Sequence, residues 1–226
     1  MKSRLSILML ASASLSSTPV HSDTLAPAEL PLYQQGDTFI FDNYRVEYVV
    51  YAEHPAPEIE WRSRLDHHYR SNRNFIVPIL QSQIANRSSQ RTVIGNPDAL
   101  WPLKPGNEVR FRVFSEMSDK HSHSQHRELQ LWHCYVEPAK DVKISAGTFS
   151  TLPVLCDQYS ANSMRPFKRI SWFYAPIIGH YVKRSSYSLI TGESTTFSLF
   201  ATLPGNQANG PRIQALLNQI EPPPKE

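Results

Sequence analysis

Short alternations of apolar and polar residues run through the chain, punctuated by proline, glycine and Asx turns. Phe39 and Phe41, then Val46, Tyr48 and Val50, alternate on either side of Asp42-Asn43, which predicts a hairpin. Ile59, Trp61, Ser63 and Leu65 continue the same period. The apolar run at 75–80 contains Pro78, which cannot donate to a ladder, so it is placed at a sheet edge or bulge. Residues 81–100 give no assignable pattern. A Pro105-Gly106-Asn107 turn then leads into Val109, Phe111 and Val113 on one face, with Arg110 and Arg112 on the other, a half-buried strand. Further strands are predicted at 128–137, 141–145, 148–157, 168–174, 180–187 and 194–202. Only 211–220 has helical spacing, through Ile213, Leu216, Leu217 and Ile220, with Pro211 in the first turn and Pro222 to Pro224 as a stop. The pattern predicts an all-β chain: a single antiparallel open barrel or sandwich of about ten strands with a short C-terminal helix.

Composition agrees with this reading. Eighteen prolines against eight glycines disfavour long helices, and 40% hydrophobic residues suffice for a packed core. The first 22 residues have the form of a secretory signal: Lys2 and Arg4, an apolar run from Leu5 to Leu15, Pro19, and a small residue at Ser22 where cleavage is expected. No cysteine follows the apolar run, which argues against a lipid anchor. Removing the signal changes 23 basic against 20 acidic residues to 21 against 20, since it carries two basic residues and no acidic ones. A net charge near zero gives no bulk attraction to nucleic acid or an anionic membrane. The organisation expected is therefore a signal at 1–22, a flexible lead-in at 23–35, one β-rich domain at 36–221 and a proline-rich tail at 222–226, exported to the periplasm or secreted. No membrane-spanning segment is expected after signal removal.

Two cysteines in an oxidising compartment point to one disulfide, Cys134 to Cys156. If Ala146-Gly147 is a two-residue hairpin turn, Cys134 falls out of register with Cys156. Looping out Pro138, Ala139 and Lys140 restores them to face each other. A catalytic thiol is the competing reading; it lacks a redox motif or an electropositive setting.

The segment Ala146-Gly147-Thr148-Phe149, followed by Trp172-Phe173-Tyr174-Ala175-Pro176 and Gly179-His180-Tyr181-Val182-Lys183, resembles the TapB-like exported proteins of unknown function. That family is similar in its A-G-T-F turn and its W-Y-x-P-x-x-G-x-x-V hairpin. The resemblance, over roughly residues 100–205, implies a β-rich envelope domain and carries over no catalytic residue. Family members often have an acidic residue after the hairpin proline, where this chain has Ile177 and Ile178. Physically, Pro176 and Gly179 make a tight turn, and neighbouring side chains on an extended strand point opposite ways. At least one of the two isoleucines should therefore be exposed, as a possible contact tip.

His121, His123 and His126 form the densest donor cluster; in an extended segment followed by a turn they could hold zinc or copper, and otherwise they sit in a polar loop. Asp66-His67-His68 is a weaker set, and His133 and His180 read as hydrogen-bonded, partly buried histidines. Glu58, Glu60, Glu128, Glu137 and Asp157 are scattered, and Glu58 and Glu60 share a strand face, an arrangement unsuited to opposed glycosidase carboxylates. No nucleophile elbow or nucleotide-binding glycine loop is present. The chain therefore reads as a non-enzymatic binding or accessory protein with no cofactor. Trp61, Phe111, Trp132, Trp172 and Tyr174 would line an interior able to hold an apolar or amphipathic molecule, or would simply fill the core. The alternatives are a protein-contact factor in envelope assembly and a hydrolase.

Overall fold

The computed structural model describes residues 25–53 and 57–220. The expected signal at 1–22, residues 23 and 24 of the lead-in and the tail at 222–226 lie outside the described residues. Strands β1 (Thr38–Phe41), β2 (Val46–Ala52), β3 (Glu58–Ser63), β4 (His68–Asn72), β5 (Gln81–Ile84), β6 (Arg87–Ile94) and β7 (Glu108–Asp119) run as antiparallel neighbours. They continue into β8 (Ser124–Val136), β9 (Lys140–Ile144), β10 (Gly147–Ser160), β11 (Pro166–Ala175), β12 (His180–Ser188) and β13 (Ser194–Leu203). β13 returns to pair with β1, Thr38 facing Leu203, and β10 pairs with both β8 and β11. The result is a closed ring of twelve strands with β9 outside it. The expectation of an open barrel or sandwich of about ten strands is corrected in closure and in count. Closure removes the sheet edges that an open form would leave unpaired.

Inward and outward positions alternate as the strands require. Along β7, Val109, Phe111 and Val113 are buried while Arg110 and Arg112 are exposed, as expected from the sequence. The phase of β2 is different: Val46 faces outward, and Glu47 and Val49 face inward. Val46 is buried all the same, because helix α1 (Gly210–Leu217) lies over the outer wall. Asn209 caps that helix by accepting from the Arg212 N–H at 2.9 Å, and Leu217 and Ile220 pack on Ile40, Val46 and Leu203. The predicted helical apolar residues thus find a partner on the outside of the barrel.

Because neighbouring strands reverse direction, the turns after β1, β3, β5, β7, β10 and β12 share one end of the barrel. The opposite end is plugged. The apolar run at 75–80, expected at a sheet edge or bulge, lies instead in the loop 73–80, which dips inward with Ile76 and Val77 buried. Pro78 supplies no ladder N–H, which suits a loop better than a closed sheet. Beside it the 3-10 helix Pro97–Leu100 buries Leu100, and the Asn74 side-chain amide donates to Asp98 Oδ1 at 2.9 Å. The described part of the expected lead-in meets the barrel there: Ala28 exchanges two backbone hydrogen bonds with Leu103, at 3.0 and 2.7 Å, and Tyr33 is buried. Where the chain enters and leaves the barrel, Gly205 lies against the Gln35 carbonyl and Gly36 against Gly205, so tightly that neither glycine leaves room for a Cβ.

Cys134 and Cys156 face each other on β8 and β10 and are joined, with sulfurs 1.98 Å apart. The expected pairing is present, but the hairpin turn is Ser145-Ala146, with Gly147 opposite Ile144, one residue earlier than expected. Residues 137–139 join β8 to β9, and across them the register on β10 slips by one residue, where three were expected.

Candidate functional site

Glu47 is a carboxylate on the inward face of a barrel wall, and three donors converge on it. Arg45 Nε and the Tyr181 hydroxyl donate to Oε1, each at 2.7 Å, and His180 Nε2 lies 3.1 Å from Oε2. Burial alone would raise the Glu47 carboxyl, but Arg45 and the hydrogen bonds from His180 and Tyr181 outweigh it and hold the group well below the usual carboxylate range. Burial pushes the His180 imidazole below its ordinary value against the pull of Glu47. An ionised Glu47 only accepts, so a neutral His180 donates from Nε2, and its Nδ1 accepts from the Tyr33 hydroxyl at 2.7 Å. The imidazole is further fixed by stacking on Phe39, ring centres 3.9 Å apart. His180 was expected as a satisfied, partly buried histidine; it is fully buried and satisfied.

Both groups bind fewer protons in the folded chain than in the unfolded one, so stability rises with pH. The His180 contribution is present above the ordinary histidine value of about 6.5 and is lost as pH falls below it; the Glu47 contribution starts to fall near about pH 4.3. Denaturant titrations between about pH 7.5 and about pH 5 should show the wild type losing stability, with His180→Gln losing less over that window. Equal slopes for both proteins would place the pH dependence elsewhere.

Next to this network, between the plug and the hairpin-tip end, the barrel encloses a cavity of about 440 Å³. Loop 73–80 contributes its floor through Phe75, Val77 and Pro78, and strands on all sides contribute its wall. It reaches solvent toward the tips, where Met117 lines it and is 37% exposed. The lining carries Arg45, Arg73, Arg91, Lys168 and Arg184 against Glu47 and Glu128, five cations to two carboxylates. Arg45 is paired with Glu47, and Arg91 donates to the Ile79 carbonyl at 2.9 Å. Among the described residues Arg73, Arg91, Lys168 and Arg184 form no ion pair. Arg184 lies over Trp172, 5.6 Å from the ring centre, and over Phe197 at 5.7 Å. Trp61 is only 4% exposed, and its indole N–H meets no acceptor among the described residues.

Of the residues expected to line an interior site, Trp61, Trp132 and Trp172 do so. Phe111 and Tyr174 belong to the packed part: Phe111 stacks behind Trp132 at 5.6 Å, and Tyr174 stacks on Phe75 at 5.5 Å. The cavity is accordingly more polar than the aromatic pattern suggested. Ile177 stands at the tip of the β11–β12 turn and is 85% exposed, whereas Ile178 folds back onto the core, so one isoleucine projects. The three histidines expected either as a metal set or in a polar loop are not gathered into a donor group among the described residues. His121 and His123 lie in the β7–β8 turn, not in an extended segment, and His126 sits on β8 opposite Met117; all three are exposed, and no metal-holding group of three donors occurs among the described residues. His68 pairs with Glu60 at 2.8 Å and His133 with Glu108 at 3.1 Å, each on the outer surface. Glu58 bonds Arg70 at 3.4 Å, also outside, and Asp157 holds Arg169 through both oxygens at 2.7 and 2.9 Å.

Fold and site together define a closed antiparallel β-barrel with a plugged end and a cation-rich internal cavity. No protein-family model matches the chain, and no curated protein matches it. Among solved structures, the hypothetical lipoprotein YmcC of Escherichia coli K12 is similar with a TM-score of 0.49 and 10% identity, over 74% of this chain and 84% of that one. An exported protein of YmcC-like fold from Bacteroides fragilis gives 0.45 and 14%, over 78% and 99% of the two chains. A lipoprotein from Parabacteroides distasonis gives 0.40 and 12%, over 79% and 100%. None of the three carries the TapB-like description, so that resemblance rests on the hairpin motifs alone.

Proposed function

We propose that this is an exported envelope protein, periplasmic or secreted, whose barrel holds an apolar or amphipathic small molecule without transforming it. The single observation carrying this reading is the internal cavity of about 440 Å³, within the ordinary size range of small-molecule sites. Tryptophans supply apolar contact and polar groups converge beside them, the mixture such sites use. The signal-like N-terminus, the Cys134–Cys156 bridge and the TapB-like motifs all support export. Native mass spectrometry of protein exported by its host and purified without detergent tests the reading. A retained small molecule, or uptake of the neutral dye N-phenyl-1-naphthylamine with displacement by lipid-like competitors, is the expected result. Protein that retains nothing and takes up no dye would remove it. A second reading, a protein-contact factor in envelope assembly, draws support from Ile177, an apolar side chain held out at a rigid turn.

A further inference from the structure

We infer that the cavity takes an organic anion, its carboxylate or phosphoryl group held by Lys168 and Arg184 and its apolar body lying against Trp132 and Trp172. The inference rests on the binding reading above and goes beyond it by naming the charge and the side chains that select it.

The strands bring these groups together. Lys168 and Trp172 are four residues apart on β11 and so share the inward face, and Trp172 faces Arg184 across the β11–β12 ladder. Arg184 lies over the Trp172 ring, which keeps its guanidinium beside the cavity wall and leaves its N–H groups free of any carboxylate among the described residues. Arg73 from the floor and Arg91 from the far wall add positive potential to the same space. Both local carboxylates are otherwise engaged: Glu47 by Arg45, His180 and Tyr181, and Glu128 by the Gln130 amide at 2.8 Å.

Lys168 and Arg184, half-buried and without an ion pair among the described residues, carry part of a desolvation cost, which an entering anion relieves. Burial lowers the Lys168 ammonium, and neighbouring Arg184 lowers it further; burial is also the largest influence on Arg184 itself. Arginine and lysine donors to an anionic oxygen form the strong class of hydrogen bonds, and they strengthen in a partly dry cavity. The tryptophan walls favour a ligand with an apolar body over a bare inorganic ion.

The test is displacement of N-phenyl-1-naphthylamine from the mature wild-type chain by dodecanoate, dodecyl phosphate, dodecanol and inorganic phosphate. Both dodecyl anions should displace the dye at concentrations about tenfold below dodecanol, and inorganic phosphate should fail. Either order of the two anions supports the inference; the better one tells whether a fatty-acid-like or a phospholipid-like group is preferred. In Lys168→Met with Arg184→Met, the roughly tenfold advantage of the anions over dodecanol should disappear. Folding of the variant is checked by circular dichroism and by intact Cys134–Cys156; the four-probe comparison on the wild type decides the matter if the variant does not fold. Equal displacement by dodecanol and dodecanoate overturns the anion inference and leaves the binding proposal standing. Displacement by inorganic phosphate as good as by dodecyl phosphate overturns the organic-anion assignment. Failure of every probe to bind overturns both.

Discussion

Glu47→Ala is expected to destabilise the fold by about 3–5 kcal/mol in guanidinium unfolding at neutral pH. The carboxylate is the shared acceptor for Tyr181 and His180, both buried, and removing it leaves their hydrogens without a partner inside the barrel. Each such orphan costs roughly 1–3 kcal/mol. Arg45 adds little to the loss, because its side chain is 41% exposed and recovers water. Glu47→Gln retains one carbonyl oxygen and replaces the other with a donor, so its loss should be smaller. A Glu47→Ala protein within about 1 kcal/mol of wild type would mean that the network is not a structural keystone.

Removing the disulfide by Cys134→Ala with Cys156→Ala should lower stability by about 3 kcal/mol, the entropy of closing a loop across a sequence separation of 22. For a chain of this size that corresponds to a drop in Tm of roughly 6–12 °C. The two cysteines are buried and face each other on paired strands, so alanine also leaves a small void that adds to the loss. Non-reducing peptide mapping fixes the premise, since the oxidised protein should give one peptide pair containing both residues. Unchanged thermal unfolding after reduction of the wild type would contradict the expected contribution.

The parts of the fold that were legible are those whose strands separate apolar from polar residues. β7 alternates valine and phenylalanine with arginine, and its inward face follows directly. The strands β4, β5 and β6 went unassigned because they are polar on both faces. Ser82, Ser89 and Arg91 look into water-accessible space instead of a dry core, so the usual contrast between faces vanishes where the barrel lines pockets and the cavity. The same cause hid the site. Its aromatic residues stood out, but Glu47, Arg184 and Lys168 sit in strands whose inward direction only closure of the barrel defines. In β2 the visible apolar alternation of Val46 and Tyr48 marked the outer wall, where α1 covers Val46, and this turned attention away from Glu47. A charged residue between Val46 and Tyr48 was the available signal. The disulfide was legible because strand pairing converts sequence spacing into distance, even though the turn itself lies one residue from its expected place.

The central claim, that the ligand lies inside the barrel, is tested most directly by filling the space. Ser115 is buried on β7 and lines the cavity, so Ser115→Phe places a ring into it without touching Glu47 or the disulfide. The measurement is uptake of N-phenyl-1-naphthylamine by the variant, with circular dichroism and Cys134–Cys156 connectivity as the check on folding. A folded variant that takes up the dye about tenfold more weakly than wild type is the predicted result. A folded variant with unchanged uptake would place binding outside the cavity and contradict the account.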